Sequence, residues 1–166
     1  MVDHAQGRQG PSGAAPGSEY WLVAYASTRR PPKEAAVSGP FIFIATNKLK
    51  AGKLEDERER VRDLSEFIAA NEPRLLAFNE YADESGTEVG VVQVHPDAQS
   101  MQFHMNLVSD RAASAYAETL DATTGVQVFG TPDDTVLQML RKQAGAGVDL
   151  RIKPHRLGGF TRIPAS

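Results

Sequence analysis

Residues 74–95 read RLLAFNEYADESGTEVGVVQVH, and this stretch predicts a β-hairpin. Two runs rich in apolar and aromatic residues, 74–82 and 87–95, flank the tetrapeptide DESG. This tetrapeptide has the composition of a turn, and Gly86 can adopt the positive φ that tight turns often need. Alternation along the second strand predicts one face shared by Val89, Val91, Gln93 and His95, with Val92 and Val94 on the other face.

A strand and a helix are predicted before the hairpin. Residues 41–49, FIFIATNKL, begin with a continuous apolar run, which is typical of a strand covered on both sides. Residues 53–71 then have apolar residues at helical spacing, and Pro73 ends this helix. The apolar face carries Leu54, Val61, Leu64, Phe67 and Ile68. The segment EDERER at 55–60, with pairs such as Asp56 and Arg60, predicts a solvated face.

Two helices and two strands are predicted after the hairpin. The first helix runs from Asp97 to about Leu120, with a break or a bend at Ser109-Asp110 because both residues favour helix caps. A short strand follows at 125–130. Thr131 and Pro132 then predict a helix start, as cap and first helical residue, and this helix stops at Gly145. Residues 148–152 alternate as a last strand, and residues 154–163 are expected to continue as a bent strand or an ordered tail.

The predicted order is therefore βαββαβ followed by a further helix and strand. This is the split βαβ pattern of an α+β, ferredoxin-like sheet with helices on one face, and a C-terminal extension begins at about residue 131. Residues 1–39 are rich in Gly, Pro, Ala and Ser, which predicts a disordered or arm-like extension. Residues 20–26 (YWLVAYA) are the apolar part of that arm. The compact domain is expected to span residues 40–166.

Composition excludes several classes of function. The chain has 166 residues, of which 41% are hydrophobic and 23% charged, and its net charge is −3. It has no cysteine, which excludes disulfides, thiolate metal sites and a cysteine nucleophile. The charge gives no general attraction to nucleic acid, and no apolar run is long enough to span a membrane. Because the first 20 residues also lack a signal-peptide pattern, we expect a cytoplasmic protein with neither nucleic acid nor membrane as partner.

The order of elements resembles a known family. The strand FIFIATNKLKAGK, the amphipathic helix, the hairpin and the segment VHPDAQSMQFHM together are similar to an antibiotic biosynthesis monooxygenase domain over residues 41–130. The resemblance implies a homodimer in which two sheets form a dimeric α/β barrel, with a pocket between sheet and helices in each subunit. It also implies a role in secondary metabolism: a monooxygenase that uses dioxygen, without a cofactor, on an aromatic quinol- or anthrone-like small molecule.

Two residues are expected to carry the chemistry that the resemblance implies. His104 lies on the helix after the hairpin, and a histidine titrates near neutral pH, so it is the candidate base or substrate-orienting residue. Asn47 ends the first strand and is the candidate hydrogen-bond donor to a substrate oxygen. The alternative is that His104 is a buried histidine with satisfied ring nitrogens and that Asn47 bonds to the local backbone.

Five further residues are candidates for substrate binding. They are His95, Asn79, Tyr81, Gln93 and Phe103. Asn79, Tyr81 and Gln93 would line a pocket only if they face the helices, and the sequence pattern leaves that face open. His95 and His104 are nine residues apart on different elements, and no carboxylates share a matching spacing, so no metal site is predicted.

Two other functions remain open at this stage. Some proteins of the family bind or degrade heme, with a helix histidine such as His104 as the iron ligand. Here the stretch VVQVHPDAQ lacks a tryptophan, and Trp21 lies in the arm, which departs from that pattern. The same pocket would also suit a non-oxidative binding protein, a cyclase or an isomerase. Fold alone does not decide among these functions.

Overall fold

A computed structural model of the chain describes residues 39–162. Its elements in chain order are β1 (Phe41–Leu49), α1 (Leu54–Asn71), β2 (Ala77–Ala82), β3 (Glu88–His95), α2 (Ala98–Thr119), β4 (Leu120–Phe129), α3 (Asp134–Ala144) and β5 (Asp149–Lys153). The predicted order of elements is confirmed for these residues. The predictions for residues 1–38, including the apolar arm at 20–26, lie outside them, and the division of the chain at residue 39 stays a prediction.

The five strands form one sheet in the order β2-β3-β1-β4-β5. Neighbours among the first four strands are antiparallel, and β5 pairs parallel to β4 after the α3 crossover. The first four strands thus have the ferredoxin-like arrangement, which confirms the predicted fold class. No helix within residues 39–162 is long and apolar enough to cross a membrane.

Alternation along the strands separates the two faces of the sheet. On β1, Phe41, Phe43 and Ala45 are buried, and so are Val126 and Val128 on β4. These side chains form one core with Met101 and Met105 of α2 and with Val136, Leu140 and Ala144 of α3. Because residues two apart on a strand share a face, Asn47, Gln93 and His95 also lie on the face that the helices cover.

Several predicted boundaries were wrong, and each has a local cause. Helix α2 continues through Ser109, whose hydroxyl donates to the Asn106 carbonyl one turn earlier instead of capping a new helix. The cap of α3 is Asp133, whose carboxylate accepts from the Val136 amide at 2.8 Å, and so Thr131 does not cap it. Gly145 ends α3 with φ near 85°, as predicted.

The strands also differ in extent from the predictions. Strand β4 begins at Leu120, five residues before the predicted start. Its pairing with β1 shifts register twice, between Thr46 and Asn47 and between Lys48 and Leu49, and continues to the end of β1, where Leu49 pairs with Leu120. Strand β2 begins at Ala77, three residues later than predicted. Residues 154–162 form neither helix nor strand and are exposed, so the predicted bent strand is absent there.

Candidate functional site

Five buried polar side chains form a continuous series of hydrogen bonds beneath α2. We call this series the histidine chain, and its members are Glu72, His104, Gln93, His95 and Ser100. Their residues are between 0% and 4% exposed. Glu72 follows the last residue of α1, Gln93 and His95 lie on β3, and Ser100 and His104 lie on α2. Polar groups buried this deeply require hydrogen-bond partners. The donor or acceptor character of each partner therefore determines which ring nitrogen carries a proton.

The distances in the histidine chain fix which atoms are paired. Glu72 Oε1 lies 2.7 Å from His104 Nδ1, and His104 Nε2 lies 3.0 Å from Gln93 Nε2. Gln93 Oε1 lies 3.3 Å from His95 Nε2, and His95 Nδ1 lies 3.1 Å from Ser100 Oγ. The backbone N–H of Ser100 donates to Asp97 Oδ1 at 2.8 Å, so the chain ends at the cap of α2. It therefore connects the C-terminus of α1 to the N-terminus of α2.

The carboxylate of Glu72 is directed almost wholly at His104. Its side chain is 1% exposed, and its second oxygen, Oε2, has no hydrogen-bond partner among residues 39–162. An acceptor carboxylate fixes the proton of an imidazole on the nitrogen that faces it. His104 thus carries its proton on Nδ1, and its Nε2 lone pair faces the Gln93 amide group.

His95 is held in its neutral form. Burial, and after it the repulsion by His104 when that ring is protonated, lowers the pKa of His95 to about 3, while Asp97 acts in the opposite direction. The two imidazole rings lie 5.6 Å apart, edge to face. His95 can therefore relay a change in hydrogen bonding through its tautomer without taking up a second proton.

A second buried polar group lies between α1, β2 and α2. We call it the arginine cluster; it contains Glu57, Arg60, Glu80, Tyr116 and Thr119. The Arg60 guanidinium binds both oxygens of Glu57, at 2.5 and 2.6 Å, and approaches Glu80 at 3.3 Å. Thr119 donates to Glu57 at 2.5 Å, and the Tyr116 ring centroid lies 4.4 Å from the guanidinium carbon. One guanidinium thus serves two carboxyl groups, each with a side chain 3% exposed.

The pKa values of Glu57 and Glu80 are shifted in opposite directions. Burial, together with the neighbouring Glu57, raises the pKa of Glu80 to about 8 against the effect of Arg60. Burial acts on Glu57 as well, but hydrogen bonds from Arg60, Glu80 and Thr119 lower the pKa of Glu57 overall. Two carboxylates beside one cation cannot both ionise cheaply in the interior. Glu80 therefore holds a proton at neutral pH, and Glu57 is ionised.

Two members of the arginine cluster, Glu57 and Glu80, line an open cleft between α1 and the β2–β3 hairpin. The cleft has a volume of about 510 Å³, within the range of small-molecule sites. Leu54, Val61 and Val89 give it apolar walls, and Glu57 and Glu80 contribute carboxyl groups. No member of the histidine chain lines it. Phe78 lies between the two groups: its ring centroid is 6.2 Å from that of His104, and it shares a face of β2 with Glu80.

The structure brings together three of the seven residues predicted for the site. His104, Gln93 and His95 are members of the histidine chain. Asn47 is buried elsewhere on the helix-covered face, where its carbonyl oxygen accepts from Thr123 Oγ1 at 2.8 Å. Asn79 and Tyr81 face away from the helices, although Tyr81 also contributes to the cleft. Phe103 is 53% exposed on α2.

Sequence reasoning missed both Glu72 and the arginine cluster. The prediction that the segment 55–60 forms a solvated face was wrong for Glu57 and Arg60, which are drawn inward by each other and by Glu80. One signal was present: Glu57 and Glu72 fall on the same helical register as Leu54, Val61, Leu64 and Ile68. Charged residues in an apolar register indicate buried, partnered groups. Within residues 39–162, no three His, Asp or Glu side chains converge as metal ligands would.

Comparison with solved structures identifies the fold. MupZ from Pseudomonas fluorescens superposes with a TM-score of 0.59 at 16% identity, covering 78% of this chain and 94% of MupZ. A protein of Caulobacter crescentus CB15, named as a proposed antibiotic biosynthesis monooxygenase, gives 0.50 at 19% identity, covering 55% of this chain and 89% of its own. No protein-family model and no curated protein sequence matches the chain. The domain thus has the fold of antibiotic biosynthesis monooxygenases, as the resemblance implied.

Proposed function

We propose that this domain is a cofactor-independent monooxygenase that oxidises an aromatic quinol- or anthrone-like molecule between its sheet and helices. The observation that carries the proposal is the buried Glu72–His104 pair on the face of the sheet that the helices cover. A carboxylate-oriented imidazole in a dry environment is a general base, and deprotonation is the step that makes such a substrate reactive toward dioxygen. The monooxygenase-type fold supports the same reaction class.

His104 is assigned as the base and Glu80 as the acid. Glu80 is protonated at neutral pH because its pKa is near 8, so it can donate a proton but is a poor acceptor there. His104 Nε2 has a lone pair, since Nδ1 carries the ring proton toward Glu72. The substrate hydroxyl or acidic C–H would replace the Gln93 amide as the partner of Nε2. Phe78, between the two groups, would support the aromatic rings of the substrate.

The proposed reaction balances without a further reductant. His104 takes a proton from the substrate, and the resulting anion transfers one electron to dioxygen. Recombination of superoxide with the substrate radical forms a C–O bond, and Glu80 protonates the peroxide. The O–O bond then breaks as the remaining C–H proton leaves, giving a carbonyl and a hydroxide that takes up this proton to form water. Return of the proton from His104 to Glu80 restores both residues and closes the cycle. The Asn47 amide N–H group is the proposed donor to the substrate oxygen, since its carbonyl already accepts from Thr123.

Oxygen uptake with 1,8-dihydroxyanthrone as a probe tests this function. We expect one dioxygen consumed per quinone formed, and a loss of about 100-fold or more in the His104→Ala variant, which is the usual contribution of a general base. His155→Ala, at an exposed position, is the matched control and should keep the wild-type rate. An unchanged rate in His104→Ala would remove this residue from the mechanism.

Heme binding is less well supported by this geometry. Both ring nitrogens of His104 have protein partners, Glu72 and Gln93, so iron ligation would have to break one of these hydrogen bonds. Hemin added to the purified protein gives a direct comparison. A Soret shift that persists in wild type and disappears in His104→Ala would favour the heme alternative over the oxygenase.

A homodimer is proposed through the face of the sheet opposite the helices. Ile42, Ile44, Val92 and Val94 form two cross-strand apolar pairs on that face, and each is only partly buried. A contiguous apolar patch on a sheet is a common contact surface between copies of a chain. Light scattering of wild type should give twice the monomer mass, and Ile44→Glu should give the monomer mass. A monomeric wild type would reject this arrangement.

A further inference from the structure

The hydrogen bonds of the histidine chain all run in one direction. Ser100 Oγ donates to His95 Nδ1, His95 Nε2 donates to the Gln93 carbonyl, the Gln93 amide N–H donates to His104 Nε2, and His104 Nδ1 donates to Glu72. Each of these four contacts thus has one donor and one acceptor. We call this assignment of protons the base state.

The same atoms allow a second arrangement that keeps a donor and an acceptor in each of the four contacts. If His104 gains a proton on Nε2, that nitrogen becomes a donor and would face the Gln93 N–H group. Rotation of the Gln93 amide by half a turn places its carbonyl there instead. The amide N–H then faces His95 Nε2, which must become an acceptor, so the His95 proton moves to Nδ1 and is donated to Ser100 Oγ. We call this arrangement the acid state.

We infer that Glu72 and Gln93 are positioning residues for His104: Glu72 fixes the tautomer in which Nε2 is unprotonated, and the Gln93 amide inverts so that its carbonyl accepts from Nε2 once His104 has taken up a proton. This inference rests on the proposed function for the role of His104 as a base, while the two states of the chain do not depend on it. Buried donors without acceptors are costly, and the inversion avoids leaving one after proton transfer.

The coupling between His104 and His95 depends on the groups that face the His104 ring. The groups that face it are Glu72 from the end of α1, Gln93 and His95 from β3, and the apolar ring of Phe78 from β2. Asp97 pairs with Arg74, accepts from the Ser100 backbone N–H and acts against the lowering of the His95 pKa. Because His95 is buried and stays neutral, it responds to His104 by a change of tautomer only.

The test is an NMR titration of the ring nitrogens in the ¹⁵N-labelled full-length protein. In wild type we expect His104 to gain its second proton as the pH falls, and His95 to move its proton from Nε2 to Nδ1 with the same midpoint. His155 is exposed and serves as an internal reference for an independent ring. If His95 keeps one tautomer throughout the His104 titration, or takes up a second proton within it, the inference is overturned.

The Gln93→Met variant distinguishes a positioning role of the Gln93 amide from a packing role of its side chain. Met keeps the approximate shape but has no amide, so the His95 tautomer should no longer follow His104, and the pH profile of oxygen uptake should shift. Gln99→Met, at an exposed position on α2, is the matched control and should leave both unchanged. Glu72→Gln keeps an oxygen that can accept from Nδ1, so the His104 tautomer should stay the same in this variant.

The oxygenase proposal and the positioning inference can fail independently. If no oxygen uptake occurs with the anthrone but the His95 tautomer follows His104, the positioning inference stands and the oxygenase proposal fails. If uptake occurs and Gln93→Met leaves its pH profile and the His95 behaviour unchanged, the oxygenase proposal stands and the positioning inference fails. Circular dichroism melts of each variant identify any that do not fold, and for these the wild-type titration alone decides.

Discussion

The histidine chain and the arginine cluster lie on the same face of one sheet, separated by Phe78. Their buried polar groups are paired in different ways. In the histidine chain the hydrogen bonds run toward Glu72: His95 donates to Gln93, Gln93 donates to His104, and His104 donates to the Glu72 carboxyl group. In the arginine cluster two carboxyl groups converge on one guanidinium. In a directional chain, inversion of one amide changes the donor and acceptor roles of its neighbours, whereas a buried ion cluster loses much of its stability when one member is removed.

Removing the cation of the arginine cluster should give the largest effect. Arg60→Met leaves Glu57 buried without its partner, and breaking a buried ion pair in this way costs about 3–5 kcal/mol of unfolding free energy. Arg62→Met is the control, because the Arg62 side chain is 64% exposed, and it should change stability by about 0.5 kcal/mol or less. Urea unfolding near pH 7 measures both.

A double variant guards against loss of folding and sharpens this result. Arg60→Met combined with Glu57→Met removes both charges and should recover most of the lost stability, since apolar replacement of a buried pair is often near neutral. If Arg60→Met is no less stable than Arg62→Met, the cluster contributes no buried pairing.

The pH dependence of stability should differ in sign between the two groups. Glu80 has its pKa raised from 4.5 to about 8, so its contribution is present below pH 4.5 and is lost as the pH rises through 8. The folded state binds the extra proton in this window, and the wild-type free energy of unfolding should fall by up to about 1.4 kcal/mol per pH unit. Glu80→Gln imitates the protonated form and should remove this slope between pH 6 and 8.

The control for that experiment is Glu84→Gln, which alters an exposed acid in the turn of the same hairpin. It should keep the wild-type slope. Parallel profiles for wild type and Glu80→Gln would show that Glu80 titrates normally and that it is not the proposed acid.

The contribution of the histidine chain to stability should decrease at acidic pH. His95 has its pKa lowered from 6.5 to about 3, so its contribution is present above pH 6.5 and is lost as the pH falls toward 3. At pH 5 this amounts to about 2 kcal/mol at most. His95→Gln keeps a neutral polar group and should lose less stability than wild type between pH 7 and pH 5. His155→Gln, at an exposed site, should follow wild type, and equal losses for all three proteins would contradict the assignment.

The same comparison shows what the sequence could and could not predict. The strands and helices followed from alternation and helical spacing, because β1 and β3 each place a regular apolar series on one face. His104, Gln93 and His95 were predicted as site residues because a polar residue in or beside an apolar run indicates a buried polar group. Glu57, Arg60 and Glu80 were not found, because mixed charge on a helix normally indicates solvent.

The missed residues depend on contacts between distant parts of the chain. Glu72 meets His104 across 32 residues, and Thr119 meets Glu57 across 62. No local pattern encodes such a pairing. The helical register of Glu57 and Glu72 among apolar residues identifies them as buried, but only the packing of α1 against β2 and α2 identifies their partners.

The smallest expected difference lies between the hydroxyl groups at the ends of the two networks. Thr119 donates to the ionised Glu57, and a hydrogen bond to a charged group contributes about 1.5–3 kcal/mol, whereas a neutral bond such as that of Ser100 contributes about 0.5–1.5 kcal/mol. Thr119→Val should therefore destabilise the domain more than Ser100→Ala in urea unfolding at pH 7. In a Glu57→Gln background the acceptor is neutral, so the cost of Thr119→Val should fall to that of Ser100→Ala. An undiminished cost in that background would mean that Thr119 contributes packing instead of a charge-assisted hydrogen bond, and that the two networks differ less than their geometry indicates.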